Sequence, residues 1–154
     1  VTTSASNCCD PPGLIAVTVA APARLHLGFI DVSGSLGRPF GSLGLALEEL
    51  VTEVTVRRAD RFGADGPDAA RALDYLRRLA DDFDPPAAAH VTVRRAIPEH
   101  AGLGSGTQLA FAVGRAFSAL FALPFDAPSI AARLDRGARS GIGSRLWGRT
   151  YATT

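Results

Sequence analysis

Ile15, Val17 and Val19 alternate with Ala16, Thr18 and Ala20, which predicts a strand that stops at Ala21-Pro22. A second strand follows over Arg24 to Ile30, with Leu25, Leu27 and Phe29 on a core face and Arg24, His26 and Gly28 on the other. Four glycines, Pro39 and three serines between Asp31 and Gly44 predict a long loop, of the kind that carries function inside compact domains. Leu45 to Leu47 resumes a strand, and Thr52, Val54 and Val56 alternate with Glu53, Thr55 and Arg57 in a clearer one. Beyond Pro67, the residues Leu73, Leu76, Ala80 and Phe83 fall on one helical stripe that Pro85-Pro86 ends. His90 to Ile97 is a further strand, with Val91, Val93 and Arg95 opposite Thr92 and Arg94. Leu109, Val113, Ala116, Phe117 and Leu120 then recur at helical spacing, predicting a buried helix from about Gly106 to Phe121. A last helix runs from Pro128 to Arg136, capped by Asp126 and stopped near Gly137. The order strand, strand, strand, helix, strand, helix, helix predicts an α+β layer rather than an alternating doubly wound sheet.

Composition narrows the chemistry. With 154 residues and 47% hydrophobic content the chain buries one ordinary core. A net charge of +1 gives no broad field to gather nucleic acid or anionic lipid, so neither is an expected partner and any anion site must be local. All sixteen basic residues are arginine, which removes lysine-based mechanisms and leaves planar forks suited to carboxylate or phosphate. The adjacent Cys8 and Cys9 have no partner elsewhere and no zinc spacing, which points to a reducing compartment. No apolar stretch approaches the roughly 18 residues of a membrane span, and the start lacks a signal-peptide pattern, so a cytoplasmic protein is expected. Residues 1–13 are small, polar and proline-bearing, which reads as a disordered leader.

The most informative segment is Pro98-Glu99-His100-Ala101-Gly102-Leu103-Gly104-Ser105-Gly106-Thr107, between a predicted strand and a strongly amphipathic helix. Glycines let backbone approach a ligand, the first helical N–H groups have no internal acceptor, and the helix dipole favours an anion at that end. Ser105 and Thr107 add hydroxyl donors, so Gly102, Leu103, Gly104, Ser105, Gly106 and Thr107 are the candidate phosphate or pyrophosphate site. A plain glycine connector with a serine cap is the alternative. No lysine follows as in a Walker loop, and the glycine spacing is not that of a dinucleotide fingerprint.

The run Pro-x-x-x-Gly-Leu-Gly-Ser-Gly-Thr over residues 98–107 resembles the phosphate-binding motif of the galactokinase, homoserine kinase, mevalonate kinase and phosphomevalonate kinase (GHMP) superfamily. Ala21-Pro22-Ala23-Arg24-Leu25 resembles its first motif, with Arg24 where lysine is common. Within that superfamily, Arg24-Leu25-His26-Leu27-Gly28-Phe29-Ile30-Asp31, Ile97 through Gln108, and Arg136-Gly137-Ala138-Arg139-Ser140-Gly141-Ile142-Gly143 are similar to the β-ribofuranosylaminobenzene 5'-phosphate synthase family. The resemblance implies an α+β GHMP-kinase N-terminal domain (ribosomal-protein domain-2-like), with a mainly antiparallel sheet and helices on one face. It also implies a pentosyl transfer that joins phosphoribosyl pyrophosphate to 4-aminobenzoate, releasing carbon dioxide and pyrophosphate, at the opening of tetrahydromethanopterin biosynthesis. Related kinases commonly carry an aspartate after Ser-Gly-x, where this chain has Ser140-Gly141-Ile142-Gly143, so the acid that assists phosphoryl transfer is missing.

On this resemblance His26 and Asp31 are catalytic candidates, and Arg24, Gln108, Arg139 and Ser140 are substrate-binding candidates. Taken alone, His26 reads more often as a hydrogen-bonded structural residue than as a catalyst, and Asp31 reads as a turn former. Mg2+ is an open cofactor expectation, with no protein metal site and no organic cofactor expected. The resemblance covers Val17 to Gly143, within a domain expected over residues 14–143; residues 144–154 read as an atypical tail, with the family's C-terminal half missing. The expectation is therefore an inactive fragment of an active parent enzyme, with homodimerisation open. A superfamily kinase using ATP, or an inactive nucleotide- or anion-binding domain, are the rival readings, and 4-hydroxybenzoate would suit the same site as 4-aminobenzoate.

Overall fold

The computed structural model describes residues 14–31, 35, 41–124 and 126–134. The expected leader and tail, and the Arg136 to Gly143 segment with Arg139 and Ser140, lie outside the described residues. The element order is β1 (Ala16–Asp31), β2 (Gly41–Ala59), β3 (Gly63–Asp65), α1 (Ala69–Phe83), β4 (Ala88–Arg95), α2 (Ser105–Leu120) and α3 (Ala127–Arg133). The strands form one sheet in the order β1-β2-β4-β3, antiparallel except for the β3–β4 pair.

The succession of strands and helices is the expected one, but it is reached differently. The two strands predicted on either side of Pro22 are a single strand, because β1 lies at the sheet edge, where a residue without an N–H costs no ladder bond. The break appears instead as a shift in register. Pro22 faces Val51 while Ala23 faces Leu47, so Glu48, Glu49 and Leu50 bulge from β2. The two strands predicted around Leu45 and Thr52 likewise join into β2, and the long loop is shorter than predicted because β2 starts at Gly41. The short β3 has no alternating run to announce it and exists only by pairing with β4.

Val54, Val56, Val91 and Val93 are buried on one sheet face, under Leu76 and Leu79 of α1 and Leu109, Val113, Phe117 and Leu120 of α2. The α2 stripe is the predicted one. On α1 the buried side is Ala72, Tyr75, Leu76, Leu79 and Ala80, with Leu73 only half-buried. The other sheet face is polar: Thr18 and Thr55 share a hydrogen bond of 2.9 Å, and Arg95 donates to Glu53 at 3.0 Å. α3 docks on α2 where Gly114 leaves room for Ile130. Among the described residues no helix is long and apolar enough to cross a membrane.

One expectation about the core is corrected. Leu25, Leu27 and Phe29 are expected on a core face, yet they are 39%, 55% and 41% exposed. The backbone N–H of Arg24 donates to the carbonyl of Leu103 at 3.0 Å, just before α2 begins, so the helix layer ends there and the β1–β2 arm runs on uncovered. The three residues also do not share a face. A bulge between His26 and Gly28 breaks strict alternation, and it brings Phe29 to the side of His26, their rings 4.9 Å apart and edge-on.

A candidate anion-binding loop at the start of helix α2

The segment that leads into α2 is held at several points by backbone and side chains. Ile97 is buried and its N–H donates to the hydroxyl of Thr52 at 3.3 Å, which fixes the exit from the sheet. His100, Gly102 and Gly104 then take left-handed conformations, with φ of 58°, 72° and 74°, and curl the chain back toward β1. The Leu103 carbonyl accepts from Arg24 at that point, and the hydroxyl of Tyr75 on α1 donates to the Gly106 carbonyl at 3.4 Å.

The N–H of Gln108 donates to the Gly104 carbonyl at 2.9 Å, the first bond of the helical series. The amides of Ser105, Gly106 and Thr107 therefore stand ahead of any helical acceptor. Gly104 occupies the N-cap and brings no side chain to them, and the first turn contains no acidic residue. At α3 the arrangement is the opposite: the Asp126 carboxylate accepts from the Ser129 N–H at 2.9 Å and fills the cap. The start of α2 thus presents backbone donors and the positive end of a sixteen-residue helix to an external acceptor. Gly102 and Gly104 are exposed, while Leu103, Ser105, Gly106, Thr107 and Gln108 are half-buried.

The other predicted residues are distributed along the arm. Arg24 touches the loop through its backbone, and its side chain lies across Gly44, where a Cβ would collide with the guanidinium. His26 is two residues further, or about 7 Å of strand. Asp31 ends β1 opposite Gly41, about 20 Å of strand from Arg24. The sequence therefore brings Arg24 and Gln108 to the loop, His26 near it and Asp31 to the far end of the arm. Among the described residues no three His, Cys, Asp or Glu side chains gather as a metal site. A shallow depression of about 470 Å³, lined by Arg115, Ser118, Leu123 and Asp126, lies at the opposite end of α2. Its Ser118 hydroxyl is already used by the Leu123 carbonyl at 2.6 Å.

Two residues without an assigned role prove to be part of the loop's support. Arg71 on α1 pairs with Glu99 at 2.9 Å and also with Asp68. The isolated Arg71 carries no signal in the sequence short of this tertiary contact.

Residues 69–144 match the family described as GHMP kinases N terminal domain. The described part of the chain has the fold of a GHMP kinase N-terminal domain. A solved 4-(cytidine 5'-diphospho)-2C-methyl-D-erythritol kinase superposes on this domain with a TM-score of 0.61 at 22% identity, covering 86% of this chain and 50% of that one. Among curated proteins, the beta-ribofuranosylphenol 5'-phosphate synthase of Archaeoglobus fulgidus is 38% identical over 131 residues, 79% of this chain and 39% of the relative. The synthase of the same name from Methanothermobacter thermautotrophicus is 33% identical over 140 residues, 84% of this chain and 43% of the relative. The chain thus spans about two fifths of the length of the curated relatives it matches.

Proposed function

We propose that the GHMP domain holds the pyrophosphate of phosphoribosyl pyrophosphate at the start of α2, as the N-terminal part of a pentosyltransferase that joins ribose 5-phosphate to an aromatic carboxylate. The observation that carries this reading is the glycine-capped helix start, whose three leading amides have neither a helical nor a side-chain cap acceptor among the described residues. Support comes from the names of the curated relatives, which are synthases of a ribofuranosylphenol 5'-phosphate. That name favours 4-hydroxybenzoate over the expected 4-aminobenzoate as the acceptor.

The electron balance is the same for both arenes. A para donor pushes electrons to the ring carbon that bears the carboxylate; that carbon forms the bond to C1 of the ribose as the C1–oxygen bond to pyrophosphate breaks. Loss of carbon dioxide then returns the electron pair to the ring. Catalysis of this kind asks for charge stabilisation on the leaving group and close positioning of the acceptor. The amides of Ser105, Gly106 and Thr107 serve the first. We assign Arg24 and Gln108 to donor contact, and His26 in preference to Asp31 to proton handling beside it. Arg139 and Ser140 remain part of the proposed site.

No organic cofactor enters this balance. Mg2+ fits as an ion carried by the pyrophosphate, since it keeps several waters and needs only one or two carboxylates. Glu99, the loop's own carboxylate, is engaged by Arg71, so phosphate oxygens would hold the ion. Bound there, Mg2+ would neutralise charge on the leaving group. The proposal extends to the opening step of tetrahydromethanopterin biosynthesis in the cytoplasm, and to a homodimer that covers the apolar side chains of the β1–β2 arm.

The test uses a full-length relative-length protein that carries this domain, with phosphoribosyl pyrophosphate and each arene, read by product mass and carbon dioxide release. A ribofuranosylphenol product supports the reading. ATP-dependent phosphorylation of an alcohol in place of it would favour the kinase reading. For the chain itself, titration calorimetry with inorganic pyrophosphate measures the loop directly, and binding without turnover is the expected result.

A further inference from the structure

We infer that Arg71 is a positioning residue for the anion loop, clamping it to α1 and neutralising the carboxylate of Glu99 beside the site. This rests on the anion-binding reading above and goes beyond it by assigning a charge-balancing role outside the loop.

Three observations carry the inference. One guanidinium nitrogen of Arg71, Nη2, reaches both Asp68 at the start of α1 and Glu99 in the loop, the latter at 2.9 Å. Asp68 sits at the N-cap of α1 in a left-handed conformation and makes no side-chain cap bond there; its carboxylate is used to hold Arg71. Arg71 Nε is buried with no hydrogen-bond partner among the described residues. An arginine that leaves a buried donor unused lowers stability, so folding alone does not account for this placement.

The geometry of α1 adds the mechanical part. Tyr75 lies one turn beyond Arg71 on the same helical side and donates to the Gly106 carbonyl. α1 therefore grips the loop on both sides of its glycines, at Glu99 before them and at Gly106 after them. The electrostatic part follows from sequence. Glu99 is the only acidic residue from Ile97 to Gln108, and unpaired it would repel a pyrophosphate at the helix start. Its pairing with Arg71, which Asp68 shares, reduces that repulsion and leaves the backbone donors to act.

A charge cycle tests this. Inorganic pyrophosphate is titrated into the 154-residue chain and its Arg71→Gln, Glu99→Gln and double variants at low and high salt, with amide exchange followed at Leu103, Ser105 and Gly106. Arg71→Gln is expected to weaken binding about tenfold, Glu99→Gln to tighten it about threefold, and the double variant to return close to the parent. The differences should shrink at high salt. Arg71→Lys, which keeps the charge if Arg71→Gln fails to fold, should bind within about threefold of the parent. An Arg71→Gln loss that persists in the double variant would overturn the charge-balancing role, because the arginine would then act on the ligand or on the fold. If the parent binds no pyrophosphate, the anion reading itself fails, and the clamp is judged by exchange alone. Faster loop exchange in both single variants then supports it, and unchanged exchange overturns it.

Discussion

At Gly104 the need for glycine is conformational. A Cβ built there, or at Gly102, meets nothing within 4 Å, while φ stands at 74° and 72°. Left-handed backbone costs an L-residue about 1–2 kcal/mol. Gly104→Ala should therefore lower stability by about that amount. It should also weaken pyrophosphate binding, as the turn that aims the amides relaxes, and denaturant unfolding with titration calorimetry measures both. Ser105→Ala, which removes one hydroxyl and no amide, should weaken binding less. Equal small effects from both substitutions would argue for a plain connector.

At the scale of elements, helix α3 is held by a fit of one small residue to one branched one. A Cβ at Gly114 would lie 2.5 Å from Ile130 Cγ2, so the helices approach at the position where no side chain intervenes. Gly114→Ala improves helix propensity by about 1 kcal/mol but overpacks the contact at a cost of about 1–3 kcal/mol. A net loss of about 1 kcal/mol is expected. Adding Ile130→Ala should make the pair markedly non-additive, since that change opens the space the new methyl needs. Additive losses in urea unfolding would sink this account of the docking.

The parallel pairing of β3 with β4 carries its own polar tie. Asp65 accepts from His90 Nε2 at 3.0 Å and from the Thr92 hydroxyl at 2.9 Å. The His90 bond first, and the Thr92 bond next, hold its carboxyl below the ordinary 3.8. A depressed folded value stabilises the fold above the unfolded value and is lost as pH falls through the folded one. The stability difference between the parent and Asp65→Asn should thus be at its full size above about pH 5 and fade below about pH 3. Thermal melts across that window measure it. A difference that grows on acidification would contradict the sign.

For the whole molecule, the arm is the main departure from a closed core. Leu25 and Leu45 face each other across β1 and β2, with Leu43 two residues along on the same side, and all three are more than a third exposed. Leu27 at the neighbouring bulge is 55% exposed. Contiguous apolar exposure of this kind drives association. The 154-residue chain should therefore associate with rising concentration, and Leu27→Lys with Leu45→Lys should restore a monomer in sedimentation velocity. A parent that stays monomeric and binds no apolar dye would show that the face is harmless in solution.

Local features are legible in the chain: the helix stripe of α2, the alternating valines of β2 and β4, the Asp126 cap and the glycine loop all follow from periodicity and backbone preference within a few residues. The order of elements agrees in outline only, since the predicted strands join in pairs into β1 and β2 and no periodicity announces β3. Tertiary structure decided the rest. Pro22 was read as a stop, but an edge position made it tolerable; His26 and Phe29 came to one side through a bulge that no periodicity announces. Leu25 and Leu27 carry the pattern of core residues, and whether such residues are buried depends on where the covering helix ends. At that end the Arg24 N–H meets the Leu103 carbonyl, a contact between segments far apart in the chain. The pairing of Arg71 with Glu99 is likewise a meeting of two distant segments, which only the packing of α1 beside the loop brings together.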